Sequence, residues 1–247
     1  MNILNQPPLS AENSLRYGMI ITLPLLVFYM LAKPAGLILT AEVILRDITT
    51  LFGILPRGFT EIFWIIAVFF LCKKEGASFR ITPNATANTL IESFLYATLL
   101  IAYSVFILDA SFFRVEGMEG YALSSLPSFI AMKSGAGFIE EFFFRFILLG
   151  GMVYSLRKFA YANIWTIGTA LVLTSFLFSE IHSFHFFPGL ADLFGVLPNE
   201  GETYTTEAFF FRFLSGIALG TIYLKRGFGT AVWTHAFFGY LSLVALF

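Results

Sequence analysis

Ile139-Glu140-Glu141-Phe142-Phe143-Phe144-Arg145-Phe146-Ile147-Leu148-Leu149 lies inside an apolar run from Pro127 to Leu156. The run is longer than the roughly 20 residues that cross a bilayer, yet three charges fall in its middle. Pro127 suits the first turn of a helix, where its missing N–H costs nothing. Glu140 would then lie about 20 Å along that helix, at about 1.5 Å per residue. Charges at that depth are expensive and, by default, functional. Two adjacent carboxylates there repel each other and are poorly hydrated, which prepares one as a general base. Glu141 and Arg145 are spaced i,i+4 and pair on one face, leaving Glu140, about 100° around the helix, less neutralised. The alternative from charges alone is an ion pair that only locks helices together.

Composition fixes the solvent. The 247 residues are 57% hydrophobic, 32 of them Phe, and mean hydropathy is +0.80. Charged residues are 13%, against about 25% in soluble domains. No soluble core hides so much apolar surface. A net charge of −1 leaves no basic excess for nucleic acid. The single cysteine, Cys72, excludes an intrachain disulfide and a multi-cysteine metal cluster. The polar stretch from Met1 to Ser14 lacks the basic start of a cleavable signal, so the membrane helices themselves are expected to drive insertion.

Outward from the charged run, further apolar stretches extend over Tyr17–Ala32, Leu37–Leu55, Phe59–Cys72, Leu90–Leu108, Ala162–His182, Thr206–Leu224 and Thr230–Phe247. The second carries Glu42, Arg46 and Asp47 and reads as either an interfacial helix or a span with a polar face. The runs are continuous rather than alternating, which disfavours a β-barrel. The expected fold is all-α: one membrane domain over 1–247, a polytopic bundle of about eight helices around a polar intramembrane cavity. Lys73, Lys74, Arg80, Arg157, Lys158, Lys225 and Arg226 fall in loops on one side, against Arg114 on the other. The first side is therefore read as cytoplasmic, in a multi-pass protein of the cell membrane.

Two more polar clusters close apolar runs. Phe178-Ser179-Glu180-Ile181-His182 ends one, with His185 beyond, and Phe178 and His182 share a face. His235 stands in Trp233-Thr234-His235-Ala236 within the last. A lone buried His is more often a satisfied core residue, but two of them with a Glu pair point to one site. Glu140, His182 and His235 would also make a plausible zinc set, although no His-Glu-x-x-His element favours it. No cofactor is expected. Lys133, seven residues before Glu140, is a candidate for the same face. Arg212, in Phe209-Phe210-Phe211-Arg212-Phe213, echoes the Arg145 segment without implying a duplication. Straight helices starting at one plane would put Glu140, His182 and His235 at different depths. Their convergence requires a shifted helix start, or an unwound segment at Ser179-Glu180.

The three clusters in this order resemble the CAAX-protease and bacteriocin-processing (CPBP/Abi) family of intramembrane proteases. The pattern Glu-Glu-x-x-x-Arg is met by Glu140, Glu141 and Arg145, and Phe-x-x-x-His by Phe178 and His182. His-x-x-x-Asn is met by His235 alone, because Gly239 stands where Asn is usual. The resemblance covers 126–247. It implies a glutamate-dependent endopeptidase cleaving a membrane-associated or lipidated peptide or protein: a CAAX-type tail, a leader or a sorting peptide. By that resemblance Glu140 activates water with help from His182. Glu141 and Arg145 orient the pair, and His235 donates to the oxyanion. Rival readings are a proton- or solute-coupled transporter, and a non-catalytic scaffold or immunity factor of the same fold. The partners expected are membrane lipids and the substrate, with no nucleic acid.

Overall fold

A computed structural model describes residues 15–32, 82–108, 126–159, 161–183, 186 and 204–244. These form α1 (Leu15–Ala32), α2 (Pro83–Leu108), α3 (Leu126–Glu141), a π-helical segment (Phe142–Gly150), α4 (Gly151–Lys158), α5 (Ile164–Ser183), α6 (Thr206–Arg226) and α7 (Phe228–Val244). There is no strand among the described residues. The runs Leu37–Leu55 and Phe59–Cys72, the loop charges Lys73, Lys74, Arg80 and Arg114, and His185 lie outside them. Four of the described helices are long and apolar enough to cross a membrane: Leu15–Ala32, Pro83–Phe106, Ile164–Ser183 and Thr206–Arg226. The protein is an all-helical integral membrane protein.

The helix ends follow local chemistry. Asn163 Oδ1 accepts from the N–H groups of Trp165 and Thr166 at the start of α5, at 2.9 and 3.0 Å. Thr205 caps α6 by accepting from Ala208 N at 3.2 Å. Lys225 and Arg226 occupy the last turn of α6, where cations favour the exposed carbonyls. Gly227, at φ 89°, then turns the chain into α7; a Cβ there would be strained.

Small residues set the helix spacing around α3. Ideal Cβ atoms would meet Tyr29 of α1 at 2.4 Å from Gly135, and Ala236 of α7 at 3.0 Å from Gly137. At the α1–α7 crossing a Cβ on Gly18 would lie 2.6 Å from Gly229 N. Lipid tails are as apolar as the helices, so such close backbone approach, with its dispersion and hydrogen bonds, is what associates them. Ser134 and Tyr240 add a hydroxyl–hydroxyl bond of 2.6 Å between α3 and α7. On α2 the small face Thr89, Ser93, Ala97 and Ser104 is buried, while Ile91, Leu95, Leu99 and Phe106 are exposed, as befits a lipid-facing side. Ser93 Oγ donates to Thr230 C=O of α7 at 3.2 Å.

Two features bear on the depth problem. Helix α5 is continuous from Ile164 to Ser183, with no unwinding at Ser179-Glu180. The long charged run is helical from end to end but changes pitch immediately after Glu141. π-Helical turns are wider than α-turns and are concentrated at functional sites. Here the segment carries Phe142, Phe143, Phe144, Arg145 and Leu149 into the interior. A Cβ on Gly150, at its end, would lie 2.6 Å from the Tyr223 hydroxyl and 3.2 Å from Arg145 C=O.

Candidate active site

Glu140 and Glu141 close α3, and Arg145 lies one turn further, inside the π segment. All three are buried, with 8%, 0% and 1% of their surface exposed. Arg145 Nε is 3.0 Å from Glu141 Oε2, so the i,i+4 pair read from the sequence is formed. The guanidinium also stacks over Phe178 of α5, 4.5 Å from the ring centroid. That cation–π contact gives the buried charge a second favourable surface.

The other oxygen of Glu141 faces α7. Glu141 Oε1 is 2.8 Å from His235 Nδ1. A carboxylate only accepts, so Nδ1 carries a proton and Nε2 is the nitrogen turned toward Glu140. Nε2 lies 3.8 Å from Glu140 Oε2. His235 is thus held between the adjacent glutamates, hydrogen-bonded to one and a short gap from the other. Side-chain exposure separates the carboxylates: Glu141 is at 0%, whereas Glu140 keeps 11% and His235 16%. Glu141 is consumed by Arg145 and His235. Glu140 is the carboxylate left partly exposed.

His182 is placed differently. Its Nδ1 is 2.8 Å from its own-helix Phe178 C=O. A carbonyl accepts, so this contact fixes Nδ1–H and makes Nε2 the basic nitrogen of the neutral ring. The Phe178 ring lies between the histidines, with centroids 5.2 Å from His182 and 6.2 Å from His235, both nearly edge-to-face. The structure therefore gathers Glu140, Glu141, Arg145 and His235 in one cluster and sets His182 beside it across Phe178. Among the described residues, no group of three or more His, Cys, Asp and Glu side chains is arranged to hold a metal ion.

Gly239, one turn beyond His235 on α7, has no room for a side chain. A Cβ there would lie 2.9 Å from both Cβ and Cδ of Lys133 on α3. The stem of Lys133 fills the place where the resembled pattern has Asn. Sequence reasoning gave no role to two other buried charges, Glu180 of α5 and Arg212 of α6. Their signal was available, since both are ionisable residues inside apolar runs. Beside Glu180, Ser179 Oγ donates to Phe209 C=O at 2.7 Å and ties α5 to α6.

Comparison with known proteins locates the same segment. Neither a curated protein nor a solved structure matches the chain. Residues 122–241, which contain every member of this cluster, match the model of the Rce1-like family, described as type II CAAX prenyl endopeptidase Rce1-like. The segment that builds the site is therefore similar to the Rce1-like family of type II CAAX prenyl endopeptidases.

Proposed function

We propose that this protein is a glutamate-dependent intramembrane endopeptidase that hydrolyses a peptide bond in a membrane-associated substrate of the CAAX type. The observation that carries this reading is the asymmetry of the glutamate pair. Glu141 is spent on Arg145 and His235, and Glu140 retains exposure opposite His235 Nε2.

In this reading Glu140 takes a proton from water as the water oxygen attacks the scissile carbonyl. His182, fixed with Nδ1–H on its own helix, offers its Nε2 as a second acceptor for that water. His235, when protonated on both nitrogens, donates Nε2–H to the developing oxyanion while Glu141 holds Nδ1–H. With that second proton, Glu140, Glu141, Arg145 and His235 sum to zero charge, an arrangement suited to a bilayer interior. Glu140, now protonated, returns its proton to the leaving amine as the C–N bond breaks. Donors held rigidly in a low-dielectric site are worth far more than in water. No metal enters these steps. Cell-membrane residence and a lipidated tail as substrate belong to the same proposal.

The test is mass spectrometry of membrane peptides from cells carrying wild type or Glu140→Ala at equal protein level. Wild type should yield a set of processed carboxy-termini missing from the variant. Identical peptide sets, with pH-dependent solute flux instead, would support a transporter. Identical sets without flux would support a scaffold.

A further inference from the structure

Three helix ends meet at one corner of the protein, away from the glutamate pair. Leu149 of the π segment and Val153 of α4 pack with Ile167 and Ala170 of α5, and Leu156, Tyr223 and Leu224 lie against them. This small core draws together the end of α4, the start of α5 and the end of α6. Arg157 and Lys158 close α4, and Lys225 and Arg226 close α6. Arg157 is near enough to the Tyr223 hydroxyl of α6 to act on it electrostatically. Arg226 is engaged by Glu92 of α2, with Nη2 2.6 Å from Oε2. The other three cations are exposed and make no ion pair among the described residues. No acidic residue occurs between Glu141 and Glu180 or after Glu207, so none of these helix ends supplies a carboxylate. The surface around the cations is aromatic: Tyr154, Phe159, Tyr161 and Trp165 are exposed, Trp165 to 82%. Tyr and Trp beside Lys and Arg mark the headgroup level of a bilayer.

We propose that this corner binds the phosphate of an anionic phospholipid, with Arg157 and Lys158 of α4 and Lys225 of α6 as its cations. The Arg157 guanidinium presents a fork that matches two phosphate oxygens, and the lysines add point charges from either side. Three positive charges without a carboxylate suit a headgroup that keeps a net negative charge. A zwitterionic headgroup brings its own cation and gains less there. Val172 and Leu173, exposed on α5 two turns past Trp165, give the acyl chains an apolar track. A lipid held in this way ties α4 to α6, and α4 continues the π segment that carries Arg145.

The test needs no peptidase activity. Purified full-length protein is placed in phosphatidylcholine vesicles containing phosphatidylglycerol, with brominated acyl chains on one lipid or the other. Bromine quenches nearby tryptophan, and the share of Trp165 is the difference between wild type and Trp165→Phe. Brominated phosphatidylglycerol should quench Trp165 at a lower mole fraction than brominated phosphatidylcholine, by roughly 5-fold for each cation engaged. That quenching should saturate at a low fraction of the anionic lipid. The triple variant Arg157→Gln, Lys158→Gln, Lys225→Gln keeps the surface polar and should lose the preference, while quenching by brominated phosphatidylcholine stays as in wild type. Lys225→Gln alone should lower the preference, because the site spans two helices. Equal quenching by the two lipids in wild type would overturn the assignment, as would a preference that survives in the triple variant. Quenching that rises in proportion to phosphatidylglycerol without saturating would mark a diffuse surface charge and overturn the site as well.

Discussion

Glu141 Oε1 and His235 Nδ1 are 2.8 Å apart although 94 residues separate them in the chain. This bond joins α3 to α7 and gives the second glutamate of an adjacent pair a different task from the first. The contact depends on the close approach of the two helices at Gly137, where even a Cβ would lie 3.0 Å from Ala236.

Glu141 and Arg145 should behave as a unit. Removing either strands a charge in a buried site, at a cost of about 3–5 kcal/mol. Glu141→Ala and Arg145→Ala should each lower yield and melting temperature in detergent. The double variant should lose less than the sum of the two. Singles that express and melt like wild type would show that the pair contributes nothing.

Gly137→Val should hurt turnover more than folding. Overpacking costs about 1–3 kcal/mol, while a shift of about 1 Å in His235 against Glu140 can cost about a hundredfold in rate. Activity and melting temperature measured on one preparation check this. Proportional losses in both would mean that the helix spacing is structural only.

Gly239→Asn should destabilise the protein, because the new side chain meets the Lys133 stem at 2.9 Å. Pairing it with Lys133→Ala should recover only part of the loss of about 1–3 kcal/mol, because the Lys133 Cβ, at 2.9 Å, remains. Thermal melting of the two variants decides it; a Gly239→Asn protein as stable as wild type would contradict the packing.

Turnover should be indifferent to metal. Extended incubation with chelator should leave activity intact, and elemental analysis should find no stoichiometric zinc. Activity lost to chelator and restored by zinc would move the chemistry to a metalloprotease built on Glu140, His182 and His235.

Much of the site was legible in the chain because lipid makes charge conspicuous. Glu140, Glu141 and Arg145 stood out from the apolar residues around them, and i,i+4 spacing sufficed to pair two of them. The partner of Glu141 was not legible. His235 was read as an oxyanion donor with no orienting group, because which carboxylate a helix turns toward its neighbour depends on small residues such as Gly135 and Gly137. Those residues show their purpose only when Tyr29 and Ala236 are seen against them. The π segment was equally hidden, since Phe142–Gly150 reads as ordinary apolar helix. Gly239 read as a missing amide, whereas the structure shows a slot filled by Lys133. The helix starts moved unevenly, by two turns in one case and by two residues in another. The run read from Leu90 begins at Pro83, and the last helix begins at Phe228 rather than Thr230.

The most direct measurement of the central claim is turnover by purified Glu140→Gln in lipid vesicles, with its melting curve taken alongside. The substitution keeps the size and the hydrogen-bonding atoms of the side chain and removes only its capacity to take a proton. The account predicts a melting temperature close to wild type and a rate reduced by at least about 100-fold, the scale of general-base catalysis. Near-normal turnover in a folded Glu140→Gln protein would contradict it.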